Sequence, residues 1–168
     1  MSDEIVNKVA NSGLVNFDLE AYYPKGKRQL IDLKHWLFEG LILKEKDFRQ
    51  AVKDYNWAQH QDQYVAIDCS ADAIVPIWSY MLISNAISPY AKKVIKGNLE
   101  NLESIIFHEV INTLDIIPFK NQRVIVKGCS NLPIPESAYV AITNKLSSVV
   151  KSIMYGEACS YVPIYKKK

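Results

Sequence analysis

The chain has 168 residues, 49% of them hydrophobic and 23% charged, with a formal net charge of +2 from 20 basic and 18 acidic residues. A chain of this length buries roughly 70% of the surface its unfolded form exposes, so it needs no disulfide or metal for stability. The near-balanced charge lacks the clustered basic excess of a nucleic-acid binder, and the one basic run, Lys166-Lys167-Lys168, reads as a solvated end.

Residues 1–12 read as a loose N-terminal segment stopped by Gly13. The start, Met1-Ser2-Asp3-Glu4, lacks the basic and apolar regions of a signal peptide. Leu14 to Leu19 alternates like a short strand, and Tyr22 to Gly26 reads as a turn. Gln29 to Glu39 carries apolar residues at 30, 31, 33, 36, 37 and 38, as a buried helix would. Leu41 to Leu43 reads as a short strand. Lys46 to Trp57 reads as a helix, with Asp47 as its cap.

Tyr64 to Ile67 is β-branched and aromatic, and so a strand. It runs into Asp68-Cys69-Ser70. Ala73 to Ile87 follows as a buried helix with Pro76 in its first turn. Pro76, Ser79, Ser84 and Asn85 make that stretch too polar to span a bilayer, so no membrane partner is expected. Asn98 to Leu114 is amphipathic and helical. Arg123 to Val126 is a second strand, ending in Lys127-Gly128-Cys129-Ser130. Pro135 to Tyr155 reads as one long helix, and Ser160 to Tyr165 has strand character. No linker divides the chain. The pattern predicts a single layered α/β (or α+β) domain over 1–168, with two strand–Cys-Ser–helix units.

Three cysteines, each followed by serine, stand out: Cys69, Cys129 and Cys159. An odd number points away from a disulfide framework and fits a cytosolic, cytoplasmic protein. The echo between them, including Val75-Pro76-Ile77 and Val162-Pro163-Ile164, reads as local, short of a repeated unit. A cysteine between a strand's end and a helix start lies near backbone N–H groups that stabilise a thiolate or anion.

Three readings follow. Cys69, Cys129 and Cys159 can ligate zinc or an iron–sulfur cluster, with His108 or Asp68 as fourth ligand. No C-x-x-C pair or H-E-x-x-H helix supports this. The thiols can instead be buried and structural, in a non-catalytic interaction protein. Or Cys129 can serve as the nucleophile of a thiol-dependent enzyme, although no histidine is placed to be its base. His108 itself reads as a core histidine, and Trp78, Tyr80 and Met81 as a core face. Lys127 and Glu157 read as a surface charge pair or as groups that tune the thiols.

Tyr64–Trp78, Val126–Ser130 and Lys151–Tyr165 together resemble a bacterial family known only as domain of unknown function 2480, over nearly the whole chain. The family brings no established activity. The resemblance implies an association with iron–sulfur assembly proteins, and hence a metal or cluster at the cysteines. Sequence leaves the oligomeric state, the metal and any substrate open.

Overall fold

The computed structural model describes residues 13–168; the N-terminal segment 1–12 lies outside them. The described residues form an α/β fold that divides into two compact units, one comprising the chain up to Pro24 together with Ser104–Lys168, the other Lys25–Glu103. The second unit is thus inserted within the first.

The inserted unit opens with strand β2 (Arg28–Asp32) and a 3-10 turn (Leu33–Trp36), then helix α1 (Glu45–Asp54) and a 3-10 turn (Trp57–His60). Strand β3 (Tyr64–Asp68), helix α2 (Ile77–Ile87) and strand β4 (Lys93–Lys96) complete it. Its sheet has the order β2-β3-β4, all parallel, with Asp32 beside Asp68 and Ile67 beside Lys96. Ile31, Leu33, Phe48, Val65, Ile67 and Ile83 form its core. Trp57 Nε1 donates to the Val52 carbonyl at 2.7 Å, and buried His60 stacks on Tyr55 and bonds its hydroxyl at 2.9 Å. Each polar atom that this core buries therefore has a partner, as burial demands.

The outer unit starts with strand β1 (Leu14–Phe17) and a 3-10 turn (Leu19–Tyr22). It resumes from Ser104 within helix α3 (Leu99–Thr113), followed by a 3-10 turn (Ile117–Phe119), strand β5 (Arg123–Val126) and helix α4 (Glu136–Ser147). Strands β6 (Ser152–Glu157) and β7 (Ser160–Lys166) end it. The sheet order is β1-β5-β6-β7; the first three are parallel and β7 returns antiparallel. Phe17, Phe107, Val124, Ile142, Leu146 and Ile153 lie in its core.

The Cys-Ser echo extends to the whole unit. Both units run strand, 3-10 turn, helix, 3-10 turn, strand, Cys-Ser loop, helix, strand. One constant shift in numbering carries Tyr64 to Arg123, the helix start Ile77 to Glu136, and Lys93 to Ser152. Strand β7 has no counterpart in the inserted unit among the described residues.

Several sequence-based elements are corrected. The expected helix over Gln29–Glu39 is β2 and a 3-10 turn: parallel pairing with β3 fixes the strand, and the Asp32 carboxylate, accepting from Lys34 N at 3.0 Å, turns the chain after it. Leu41–Leu43 is no strand, only an isolated bridge from Phe38 to Ile42. Helix α1 is capped at Lys44, with Asp47 inside its first turn. Pro76 is the residue before α2 and not part of it, because the extended backbone at ψ 140° ends the preceding loop. The long helix expected from Pro135 to Tyr155 breaks at Ser148, and Ile153 and Met154 pair with β5 instead. Strand β4 was hidden by its flanking lysines. Among the described residues no helix is long and apolar enough to cross a membrane.

Candidate functional site

The Cys69-Ser70 and Cys129-Ser130 loops each leave the carboxyl end of a central parallel strand, where ligands gather in open α/β sheets. The loops are long: α2 begins at Ile77 and α4 at Glu136, well beyond Cys69 and Cys129. Neither thiol therefore sits on a helix N-terminus, contrary to the sequence expectation.

An acidic side chain from the preceding strand or turn holds each loop. In the inserted unit, Asp32 accepts from the Ser70 hydroxyl at 2.6 Å and from the Ser70 backbone N–H at 3.0 Å, while also capping its own 3-10 turn. In the outer unit, Glu20 accepts from the Ser130 hydroxyl at 2.9 Å, from Leu132 N at 2.9 Å and from Asn131 N. Asp18 caps that unit's 3-10 turn as Asp32 does its own, and takes an ion pair from Lys127 at 2.9 Å. The Ser70, Asn131 and Leu132 N–H groups, which would otherwise be open to an external anion, are thus occupied by internal carboxylates.

Of the neighbouring groups, the tyrosines on the following helices correspond, whereas Asp68 and Lys96 stand where the outer unit has Lys127 and Tyr155. Asp68 accepts from Cys69 N at 2.9 Å and from Lys96 Nζ at 3.2 Å. Tyr80 on α2 has its hydroxyl pKa raised, first by burial; Lys96 opposes that shift, and Cys69, Asp68 and Asp32 add to it. Tyr139 on α4 is raised likewise, by burial first and then by Tyr155, Asp18, Glu20 and Cys129. Each unit therefore carries, on the helix after its thiol loop, a tyrosine whose pKa is raised first by burial.

Burial raises the Asp32 pKa, but the two hydrogen bonds from Ser70, the Lys34 N–H and the Lys34 charge outweigh it and hold the carboxyl at about 2, below its usual 3.8. The Ser130 hydroxyl, then Leu132 and Asn131 N–H, lower Glu20. Lys127 is raised, first by its hydrogen bond to Asp18. A carboxyl with a depressed folded pKa stabilises the fold above its ordinary value and loses that contribution as pH falls through the folded one. Labelling of Cys69 by a disulfide reagent active in acid is expected to stay slow at pH 4 and to accelerate towards pH 2 as Asp32 protonates. In Asp32→Asn that acceleration is expected to vanish.

The sequence-predicted residues fall in different local settings. Cys69 is half-buried against the inserted unit's core, whereas Cys129 and Cys159 are exposed; all three are free thiols. The expectation that all are buried is thus corrected. Cys159 lies in the β6–β7 turn. His108 is exposed on α3, beside Ser137 and Ala141, so it is no core histidine; the buried histidine is His60. Asp68 is engaged by Lys96. Met81 is 65% exposed and belongs to no core. Among the described residues, no group of three or more His, Cys, Asp and Glu side chains is placed to hold a metal ion. The described donors by themselves therefore form no zinc or cluster site.

Sequence reasoning missed Asp18, Glu20 and Asp32. Their signal was available: Phe17-Asp18-Leu19 and Ile31-Asp32-Leu33 are the same strand-end pattern, each followed by an aromatic at the end of one 3-10 turn.

A family model described as "Protein of unknown function (DUF2480)" matches residues 3–167. No curated protein and no solved structure matches the chain.

Proposed function

We propose that this chain, which belongs to the DUF2480 family and inherits no assigned activity from it, is a non-catalytic interaction protein of the cytosol that displays two matched, carboxylate-held Cys-Ser loops. The observation that carries this reading is the occupation of the loop donors by Asp32 and Glu20. Acyl transfer by a thiol needs free donors for the developing oxyanion and a base beside the sulfur. Here the Ser70, Asn131 and Leu132 N–H groups already bind carboxylates. Free thiols in a chain without a disulfide support the cytosolic location.

A second reading keeps the metal or iron–sulfur cluster, with iron–sulfur assembly proteins as partners. Its support is the pair of exposed thiols, Cys129 and Cys159, both in the outer unit. A third and fourth ligand would have to come from a partner.

Timed labelling with a maleimide separates these readings. Cys129 and Cys159 are expected to react at the rate of ordinary exposed thiols, and Cys69 more slowly until denaturant is added. A Cys129 that reacts about a hundredfold faster than a free thiol, lost on Cys129→Ser, restores the thiol enzyme. On protein purified without oxygen, stoichiometric zinc, or iron with labile sulfide, that disappears on Cys129→Ser establishes the second reading instead.

A further inference from the structure

The C-terminal lysine run, which the sequence presents as a solvated end, begins at a groove. In the outer unit a cavity of about 360 Å³ opens at the amino ends of β5 and β6, away from the Cys129 loop at the carboxyl end of β5. Three cations line it, Arg123, Lys151 and Lys166, and no carboxylate does. Backbone pairing sets them together. Arg123 pairs with Ser152 and Ser152 with Lys166, so these three stand in one row on one face of the sheet. Lys151 is held from both sides: its N–H donates to the Gln122 carbonyl at 2.8 Å, and its carbonyl accepts from Lys167 N at 2.9 Å.

Behind this row the floor is apolar. Met154 pairs with Pro163 further along the same strands, and both line the groove. Beyond them Tyr161 stands opposite Gly156, which offers no side chain, and Tyr165 adds a second ring to the lining. Among the described residues no hydrogen bond or ion pair engages the side chains of Arg123, Lys151 and Lys166. The inserted unit differs. In its matching row Arg28 stands beside Tyr64, and Glu103 pairs with that arginine at 2.6 Å. The outer unit thus presents a cationic row over an apolar floor, with the cations left for a ligand.

We infer that this groove binds a small organic phosphate, a phosphomonoester on a flat aromatic body of nucleoside size. The charge favours phosphate over carboxylate. One arginine fork satisfies a carboxylate, whereas three cations suit a phosphomonoester, which carries a charge of about −1.5 to −2 at neutral pH. Arg123 supplies the planar fork that matches phosphate oxygens, and Lys151 and Lys166 act as point charges beside it. Inorganic phosphate alone leaves the apolar floor and the two tyrosine rings uncovered, while a flat ring stacks on them. The volume lies near the lower end of the range for small-molecule sites, which suits a single ligand of this size. The site lies apart from the thiol loops and does not depend on the interaction reading above.

The probe is adenosine monophosphate, titrated into the isotope-labelled full chain beside adenosine and inorganic phosphate and followed by amide shifts. Saturable shifts at Arg123, Ser152, Met154 and Tyr161 are expected with the nucleotide, with adenosine and phosphate each weaker by at least about tenfold. Arg123→Gln and Lys166→Gln change exposed side chains. Each is expected to weaken the nucleotide by about tenfold with melting unchanged, and Tyr161→Ser likewise. Undiminished binding in both glutamine variants overturns the assignment, and so does the lack of any saturable shift in the groove. Equal binding of nucleotide and adenosine, or of nucleotide and inorganic phosphate, overturns it as well. A single-stranded oligonucleotide that binds the same residues more than about tenfold tighter gives the groove to nucleic acid, against the assignment. Nucleotide binding that appears only in Asp3→Asn/Glu4→Gln shows that the chain's own N-terminal carboxylates take the site, and it too overturns the proposal.

Discussion

Asp32→Ala is expected to destabilise the protein by about 2 kcal/mol and to raise the labelling rate of Cys69 by about tenfold. The carboxylate accepts three hydrogen bonds, from Lys34 N, Ser70 N and the Ser70 hydroxyl. Bonds to a charged group contribute roughly 1.5–3 kcal/mol each when well shielded, and less here because the Ser70 side is open to water. Alanine also removes the cap of the Leu33–Trp36 turn. For a chain of this size the loss corresponds to a fall in Tm of roughly 4–8 °C. The labelling experiment uses Cys129→Ser and Cys159→Ser as background, so that only Cys69 reports. Ser70→Ala removes one of the three bonds and is expected to show less than half the effect. An Asp32→Ala protein with unchanged melting and unchanged Cys69 labelling would show that the carboxylate does not hold the loop.

Gly156→Ala is expected to cost more, about 3 kcal/mol, because backbone strain and steric overlap act together. Gly156 has φ +126°, and a Cβ there would meet the Ser160 carbonyl oxygen at 2.6 Å. Both atoms belong to the β6–β7 hairpin, so relief requires the two strands to part. The repeat supplies a control. Gly97 occupies the matching place after β4, with φ +140°, but its added Cβ meets the side-chain oxygen of Asn101 at 2.7 Å. A side chain can turn away, at the expense of the bond that Asn98 N donates to that oxygen. Gly97→Ala is therefore expected to be the milder change of the two in a denaturant melt. If the order is reversed, the hairpin is looser at Gly156 than its backbone contacts imply.

The strands β3 and β5 were legible because Tyr64–Ile67 and Arg123–Val126 are β-branched, apolar runs bounded by polar residues. Both are central in their sheets and have buried faces. Strand β2 was not legible. Its Leu30 and Ile31, with Leu33 just beyond it, also fit a helical face, and only the register with β3 decides between the two. The α4–β6 boundary failed for a related reason. Val149 and Val150 extend the apolar pattern of the helix, although Val150 is buried as part of the turn into β6. The thiol loops were visible as Cys-Ser repeats, but what holds them was not. The partner of Ser70 lies in β2 and that of Ser130 in the 3-10 turn after β1, a separation that no local pattern spans. The likeness of the two units was veiled because one interrupts the other. Asp18 and Asp32 stand close together in the chain, whereas the strands they serve, β5 and β3, are far apart and appear in the opposite order.

That nesting sets an order of assembly on the ribosome. Strand β1 emerges first, yet its partner β5 begins only at Arg123. The inserted unit, Lys25–Glu103, is contiguous and closes its sheet through short crossovers while β1 is still waiting. Closing the longer loop carries an entropic cost that grows only slowly with its length, and folding the inserted unit first shortens the effective loop to the span between its ends. A slow or destabilised inserted unit would therefore leave β1 an unpaired apolar edge for longer during synthesis, when such edges are most prone to aggregate.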